Sequence, residues 1–315
     1  MLLFRRRPRH PRRSSGRQAP AWVSIAPSEG SAKLACVQCR AGAKPAAQWV
    51  SRQAWADPVA ALGKLKQQRS MWQWRLVSVL EPGRYDVLRV DAPALPRTEW
   101  RAATRWMLAD RVEHPMEDAA LDVLEVPSPP SQHGPAALLA VTAPRANVQP
   151  LVRQAQRAGM RLHAVDIGET ALRNIATLID ERPLALLHVD EQHSLLVIVA
   201  EGQLLLTRHL GIGLAQLADT QAPTRLEAAE QMGLELQRTL DGFERNFSQI
   251  RLTRLLVAPG TLPWEFMALA HDSLPIPVQA LDLNQVFDFS LTPELSGDER
   301  LQSQYLIALG AALRS

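Results

Sequence analysis

Three places in this 315-residue sequence carry side chains that could do chemistry. The first is Asp190-Glu191-Gln192-His193, which interrupts an apolar run at 185–189. An acid where a buried strand enters a tight loop can hold a phosphate or a metal-bound water. The same Asp can instead close an Asx turn on its own backbone, and the residues alone leave both readings open. The second is Val165-Asp166-Ile167-Gly168-Glu169, which leads into an expected helix at 170–178. Helix N-termini gather anions, but with one glycine and no lysine nearby this stretch reads better as a strand-to-helix connector. The third is the pair Cys36 and Cys39. A zinc site needs four ligands, and no second cysteine pair exists. The pair lies in an alternating stretch that reads as a strand, where residues three apart face opposite sides, so the sulfurs should diverge. No catalytic constellation and no metal set is expected. G-x-S-x-G, G-x-x-x-x-G-K-[ST] and H-E-x-x-H are all missing. His188 and His193 read as a strand residue and a turn residue.

The elements that must position these residues follow from periodicity. Apolar runs at 185–189, 195–199 and 204–206 read as buried strands. Glu201-Gly202 fits a tight hairpin between the last two, since Gly accepts φ > 0. Upstream, 21–40, 46–53, 75–80 and 86–91 read as strands. Glu81-Pro82-Gly83 between the last two resembles a hairpin turn. Asp57 and Pro58 mark the start of a helix over 57–69. The stretch 92–164 reads as helix (97–112), strand (121–126), strand (136–142), helix capped by Asn147, and strand (160–165), a small inserted α+β unit. Thr224 and Glu227 form a capping box for a long helix over 225–247, whose apolar face runs from Leu226 to Phe247. A strand (252–258), a helix (262–270), a strand (278–281) and a last helix (301–313) follow. The surface at Ala308-Leu309-Gly310-Ala311 is small enough for close packing.

Charge is divided unevenly. The chain has 35 Lys and Arg against 32 Asp and Glu, with 46% hydrophobic and 21% charged residues, ordinary for a soluble globular protein. Seven arginines (Arg5, Arg6, Arg7, Arg9, Arg12, Arg13 and Arg17) fall in the first 17 residues, which leaves the body 28 to 32. This Pro- and Ser-rich arm, 1–20, should be disordered. It suits an anionic membrane surface, with Met1–Phe4 as a small apolar tip, at about 1 kcal/mol per Arg near the surface. The acidic body offers no basic face to extend a nucleic-acid contact, so nucleic acid is not an expected partner. Seven of the eight tryptophans precede residue 107 with no aromatic repeat, and read as core and edge filling. No run approaches the roughly 18 apolar residues of a membrane span, and no secretory leader follows the basic residues. A cytoplasmic chain is expected.

Read together, these landmarks resemble the PilM family, the actin-like proteins of the type IV pilus assembly platform, and within it the MshI branch of mannose-sensitive haemagglutinin (MSHA) pilus biogenesis. The stretches that carry the likeness are 91–126, 141–174, LLLTRHLGIG (204–213) and LQSQYLIALGAALR (301–314). The resemblance implies an α/β, actin-like (ribonuclease H-like) two-lobed ATPase fold with an inserted small α+β subdomain. The first lobe would be 21–91, 165–183 and 300–315, the inserted subdomain 92–164, and the second lobe 184–299.

It also implies a nucleotide cleft of three loops, from which this sequence departs. In the first phosphate loop Lys33 remains, but the family's acid is Ala26 and its glycine is Ser28. Pro27 removes a backbone donor. In the second, Asp190 survives while the family's glycine is Gln192. The adenosine loop keeps one glycine, Gly260. A degenerate cleft is therefore expected, with no cofactor or only weak ATP and magnesium binding. The implied role is a scaffold peripheral to the inner membrane, docking the cytoplasmic tail of a single-span PilN/MshJ-like pilus protein near Trp100, Arg101, Thr104 and Met107. The alternatives are an active actin-like ATPase and the actin-like part of a type II secretion platform.

Overall fold

The computed structural model describes residues 2–3, 20–69, 74–127, 136–259 and 262–314. A two-residue strand β1 (Leu2–Leu3) is followed by β2 (Trp22–Ser28) and β3 (Ser31–Gln38), an antiparallel hairpin in register from Trp22↔Val37 to Ser28↔Ser31. Gly30 takes φ 65 at its turn, the left-handed value that a glycine accepts freely. β4 (Ala46–Ala54) pairs with β3, and α1 (Pro58–Gln68) begins where expected, with Asp57 Oδ1 accepting from the Ala60 N–H at 3.0 Å. β5 (Arg75–Val79) runs parallel to β2.

The chain then leaves this sheet. β6 (Asp86–Asp91), α2 (Trp100–Met107), β7 (Ala119–Val126) and β8 (Ala137–Pro144) form a module whose three-stranded antiparallel sheet has the order β6-β8-β7. α3 (Arg145–Arg157) and β9 (Leu162–Asp166) return, and β9 pairs parallel to β5. The first sheet is thus β1-β9-β5-β2-β3-β4.

α4 (Gly168–Ile179) crosses to the second sheet with residues 168–176 all buried. β10 (Leu184–Val189), β11 (Ser194–Ala200) and β12 (Gln203–Leu210) are the three expected apolar strands, joined as antiparallel neighbours. Glu201 (φ 50) and Gly202 (φ 70) make the tight turn between β11 and β12. A four-residue α5 (Leu214–Leu217), the long α6 (Ala222–Asn246), β13 (Leu255–Ala258), α7 (Trp264–Ser273) and β14 (Val278–Ala280) complete the order β12-β11-β10-β13-β14. α8 (Pro293–Ser296) precedes α9 (Glu299–Ala311), which returns to pack on α4, β2 and β3.

One apolar cluster runs through both large sheets and the module. It joins Val77 and Val79 of β5, Val126 and Leu139 of the module, Leu172 of α4, Leu196 of β11, Phe243 of α6 and Leu309 of α9. A second cluster lies under α1 and α3, and a third is internal to the module.

Several expectations fail for identifiable reasons. The turn at 81–83 does not join a hairpin. β5 already has β2 and β9 on its two edges, so β6 pairs instead with β8 in another sheet. The strand expected to close the inserted unit, β9, belongs to the first sheet. The helix expected over 97–112 is only Trp100–Met107. Beyond it the Arg105 guanidinium donates to the Met116 and Ala119 carbonyls, folding the chain back on itself. Asn147 does not cap α3, which starts at Arg145; its amide donates to the Arg84 carbonyl instead. Thr224 lies inside the first turn of α6, so the Thr224–Glu227 capping box does not form, and Leu226 is exposed rather than facing the core. Leu2 and Leu3, expected within a disordered arm, are strand-paired to β9. The arginines of the arm, Arg5 to Arg17, lie outside the described residues.

Candidate functional site

The two large sheets face each other across a cleft. Its walls are the β2–β3 hairpin (Ala26, Pro27, Ser28 and Lys33), the end of β5, the start of α4 at Gly168, His188 on β10, the β10–β11 turn (Asp190 and His193), His209 on β12, and Ile307 on α9. Ser28, Lys33 and Asp190 therefore meet in one place although 162 positions separate Ser28 from Asp190. Gln192 is exposed beside the cleft and is not among its lining residues. Gly260 lies outside the described residues.

The β10–β11 turn is held from behind. The Leu214 and Ala215 N–H groups donate to the Asp190 and Glu191 carbonyls, both at 2.9 Å. Gly213 comes so close that a Cβ there would lie 2.4 Å from the Glu191 carbonyl oxygen and 2.6 Å from Gln192 Cα. Only glycine fits such an approach, which accounts for the end of L-G-I-G. Asp190 Oδ1 accepts from the Glu191 N–H at 2.9 Å. Partial withdrawal from water pushes its carboxyl up, but His188, the Glu191 N–H and Lys33 outweigh that and hold it below the usual carboxylate range. His188, read as a plain strand residue, is a buried wall of the cleft. Its Nε2 lies 3.2 Å from the Ser303 carbonyl, and burial holds its pKa below the ordinary histidine value. His193, read as a plain turn residue, also faces the cleft.

Sequence reasoning missed a second group. Glu169, at the start of α4, is fully buried; its Oε2 accepts from the Tyr85 hydroxyl at 2.7 Å and its Oε1 lies 2.8 Å from His209 Nε2. The hydrogen bond to Glu169 raises the His209 pKa above its ordinary value. Burial, then Glu169, pushes the Tyr85 hydroxyl well above its own. Periodicity carried no signal here: Glu169, Thr170, Arg173 and Asn174 form a polar arc opposite Leu172 and Ile175, the pattern of a half-exposed helix, yet all of them are buried. Asp166, one turn earlier, is also fully buried, holding Arg314 and the Thr170 hydroxyl. The connector 165–169 is thus already internally satisfied.

These residues do not fit a magnesium nucleotide. The β2–β3 hairpin is paired as far as Ser28↔Ser31, leaving only Glu29 and Gly30 unpaired at its tip. Ser28 Oγ is 3.2 Å from Ser31 Oγ. Ala26 supplies no carboxylate to orient magnesium waters, and Pro27 no N–H for a phosphate. Among the described residues, no group of three or more His, Cys, Asp or Glu could hold a metal ion. Cys36 and Cys39 are free, and burial raises their pKa values to about 12 and about 11.

On the module, Arg101 and Met107 are exposed, while Trp100 is half-buried and donates from Nε1 to the Leu95 carbonyl at 2.9 Å. Thr104, expected on the same groove, points inward instead; it is fully buried, because that face of α2 covers the module's own core. Trp106, 83% exposed, and Met107 are the large apolar side chains that α2 presents to solvent. No described helix is long and apolar enough to cross a membrane.

No family model and no curated protein matches the sequence. Solved structures do. A PilM–PilN type IV pilus biogenesis complex is 17% identical, covering 95% of this chain and 99% of that one, with a TM-score of 0.71. More distant are a Bacteroides thetaiotaomicron protein with an actin-like ATPase fold (11% identity, 88% and 96% coverage, TM-score 0.47) and the cytoplasmic domain of EpsL, an inner-membrane component of the Vibrio cholerae type II secretion system (12% identity, 90% and 95% coverage, TM-score 0.47). The chain has the actin-like α/β fold.

Proposed function

We propose that the chain is a non-hydrolytic scaffold of an MSHA-type type IV pilus assembly platform. It would sit in the cytoplasm against the inner membrane and dock the tail of a single-span, PilN/MshJ-like protein. The observation that carries this reading is the cleft. The actin-like fold is kept nearly end to end, yet the wall where the resemblance would put phosphates is a closed hairpin carrying Ala26 and Pro27. A fold kept without its chemistry points to a role in assembly, since function resides in sites rather than folds. The test is retention from detergent-solubilised membranes on the tagged full chain. A single-span membrane protein with a short cytoplasmic tail is the expected catch, and recovery of none overturns the reading. Calorimetry with magnesium-ATP should give no micromolar binding. Micromolar binding abolished by Asp190→Ala would establish instead an active ATPase, the second reading, which Lys33 and Asp190 in one cleft favour.

The arginine arm supplies a second, electrostatic contact to the anionic membrane surface. Flotation with anionic liposomes should fall when Arg5, Arg6, Arg7, Arg9, Arg12 and Arg13 are changed to Gln, and the difference should vanish at high salt as screening sets in. Equal flotation at low salt would leave the arm without this role.

A further inference from the structure

The body beyond the arm is mildly acidic, 28 cations to 32 anions, and its sequence displays no basic face. The fold assembles one from two stretches far apart in the chain. Residues 58–80 hold Lys64, Lys66, Arg69 and Arg75 and no Asp or Glu; residues 126–165 hold Arg145, Arg153, Arg157 and Arg161 and again no acid. α1 lies in the first stretch and α3 in the second. They pack together over the second apolar cluster, on the face of the first sheet opposite α9. Leu62 and Leu65 of α1 and Val148 and Ala155 of α3 turn inward. Lys66 Nζ donates to the Gly159 carbonyl at 2.9 Å, which brings the two helix C-termini side by side.

Arg69 and Arg75 are half-buried over the Trp49 and Trp22 rings, while the other six cations are exposed. On α3, Arg145, Gln149, Arg153 and Arg157 follow at four-residue steps, a single stripe along the helix. Arg153 donates to Gln149 Oε1 at 3.0 Å. None of the six exposed cations is ion-paired with a described residue. The acids beside the face stand at the helix starts: Asp57 caps α1, and Glu29 and Glu81 line a groove there with Arg84. Cations at the helix C-termini suit the macrodipoles. Arg145, which opens α3, and Arg153, well inside it, gain nothing from them, so helix stability alone does not account for the stripe.

We propose that the α1–α3 face is a docking surface for an anionic lipid bilayer, with Lys64, Arg153, Arg157 and Arg161 as the cations that meet its headgroups. Charge complementarity carries the choice. Neither helix exposes a large apolar side chain that could anchor a protein partner. Trp49, Trp55 and Trp74 are buried or half-buried and leave no platform for bases. A leaflet needs neither. It takes point charges laid out on a broad surface, each strengthening binding about five-fold. The two helices, 11 and 13 residues long, give that surface a length of about 16–20 Å. The inference rests on the scaffold reading for the chain's place beside a membrane, and adds to the arm a contact built into the folded body.

The test floats the full chain, its six arm arginines changed to Gln, on vesicles of phosphatidylglycerol and phosphatidylethanolamine. Binding should fall by more than about ten-fold when Lys64, Arg153, Arg157 and Arg161 are also changed to Gln, and the difference should shrink at high salt. A control set of equal charge, also exposed, changes Arg238, Arg245, Arg251 and Arg300 to Gln and should leave binding nearly as it was. Arg153→Lys, Arg157→Lys and Arg161→Lys together should keep the binding, because a leaflet reads charge rather than guanidinium geometry. No flotation of the arm-neutral chain, or an equal loss in the two Gln sets, overturns the proposal. So does binding of duplex DNA that depends on the face while flotation does not, which would assign the surface to nucleic acid. Face-dependent flotation with no single-span protein recovered from membranes would overturn the scaffold reading and leave the face standing. Recovery of such a protein with flotation indifferent to the face would do the opposite.

Discussion

At the scale of single residues, the cleft shows which chemistry a sequence displays and which it conceals. Asp190 was legible because it sits where an expected strand meets a turn, and Ser28 and Lys33 only through the family resemblance. Glu169 and His209 were not, since the pair spans 40 positions and neither belongs to a motif. Their contact carries a pH signature. The folded pKa of His209 is raised by its hydrogen bond to Glu169, so the pair's contribution is fully present below the ordinary histidine pKa of about 6.5 and is lost as pH rises through the folded value. The stability gap between the parent and His209→Gln should therefore be wider at pH 5.5 than at pH 9, and Glu169→Gln should bring the His209 NMR titration back toward 6.5. A gap that widened with pH would contradict the pairing. The cysteines make a simpler case. With pKa values pushed up to about 12 and about 11, Cys36 and Cys39 should label at least ten-fold more slowly in the folded chain than in denaturant at pH 8, because the thiolate is the reacting form.

At the scale of elements, the order of strands and helices was largely readable and their partners were not. The turn at 81–83 has the glycine of a hairpin, with Gly83 at φ 78. What the sequence does not display is that both edges of β5 are already taken by strands distant in the chain. Parallel pairing is non-local, and periodicity reports only burial. The small residues near 310 were a better guide. A Cβ on Gly310 would lie 2.3 Å from the Ala171 carbonyl oxygen of α4, whose neighbour Asn174 already donates to the Gly310 carbonyl at 2.9 Å. Gly310→Ala must push the two helices apart and should cost about 1–3 kcal/mol. Gly63, inside α1 with open space around it, should do the opposite, Gly63→Ala stabilising by about 0.5–1 kcal/mol. Denaturant midpoints of the two variants decide the matter, and a shift of the same sign in both would refute the packing of α9 on α4.

At the scale of the whole molecule, the last residues of the chain reach back to a buried acid. Arg314 pairs with Asp166 where both side chains are almost fully withdrawn from water, and the guanidinium also stands over the Trp22 ring. Removing one member of such a pair strands the other, at a cost of about 3–5 kcal/mol. Arg314→Met should show that loss in equilibrium unfolding, and Asp166→Asn placed with it should return a good part of it. A double variant no better than Arg314→Met would argue against the pair. The Arg89 guanidinium of β6 stands 5.1 Å from the centre of the Phe247 ring at the end of α6, and β7 lies against β12, so the module also touches the second half of the molecule. The apolar cluster described above crosses from one large sheet through α4 and α9 to the other and on into the module without a gap. Heat therefore meets no break in the apolar core between the two large sheets, and these are expected to melt in one calorimetric transition, whereas the module has a further core of its own. On the proposed scaffold reading, a core shared by both large sheets would serve as a ruler: whatever is fastened at one point on each sheet would be kept at a fixed distance.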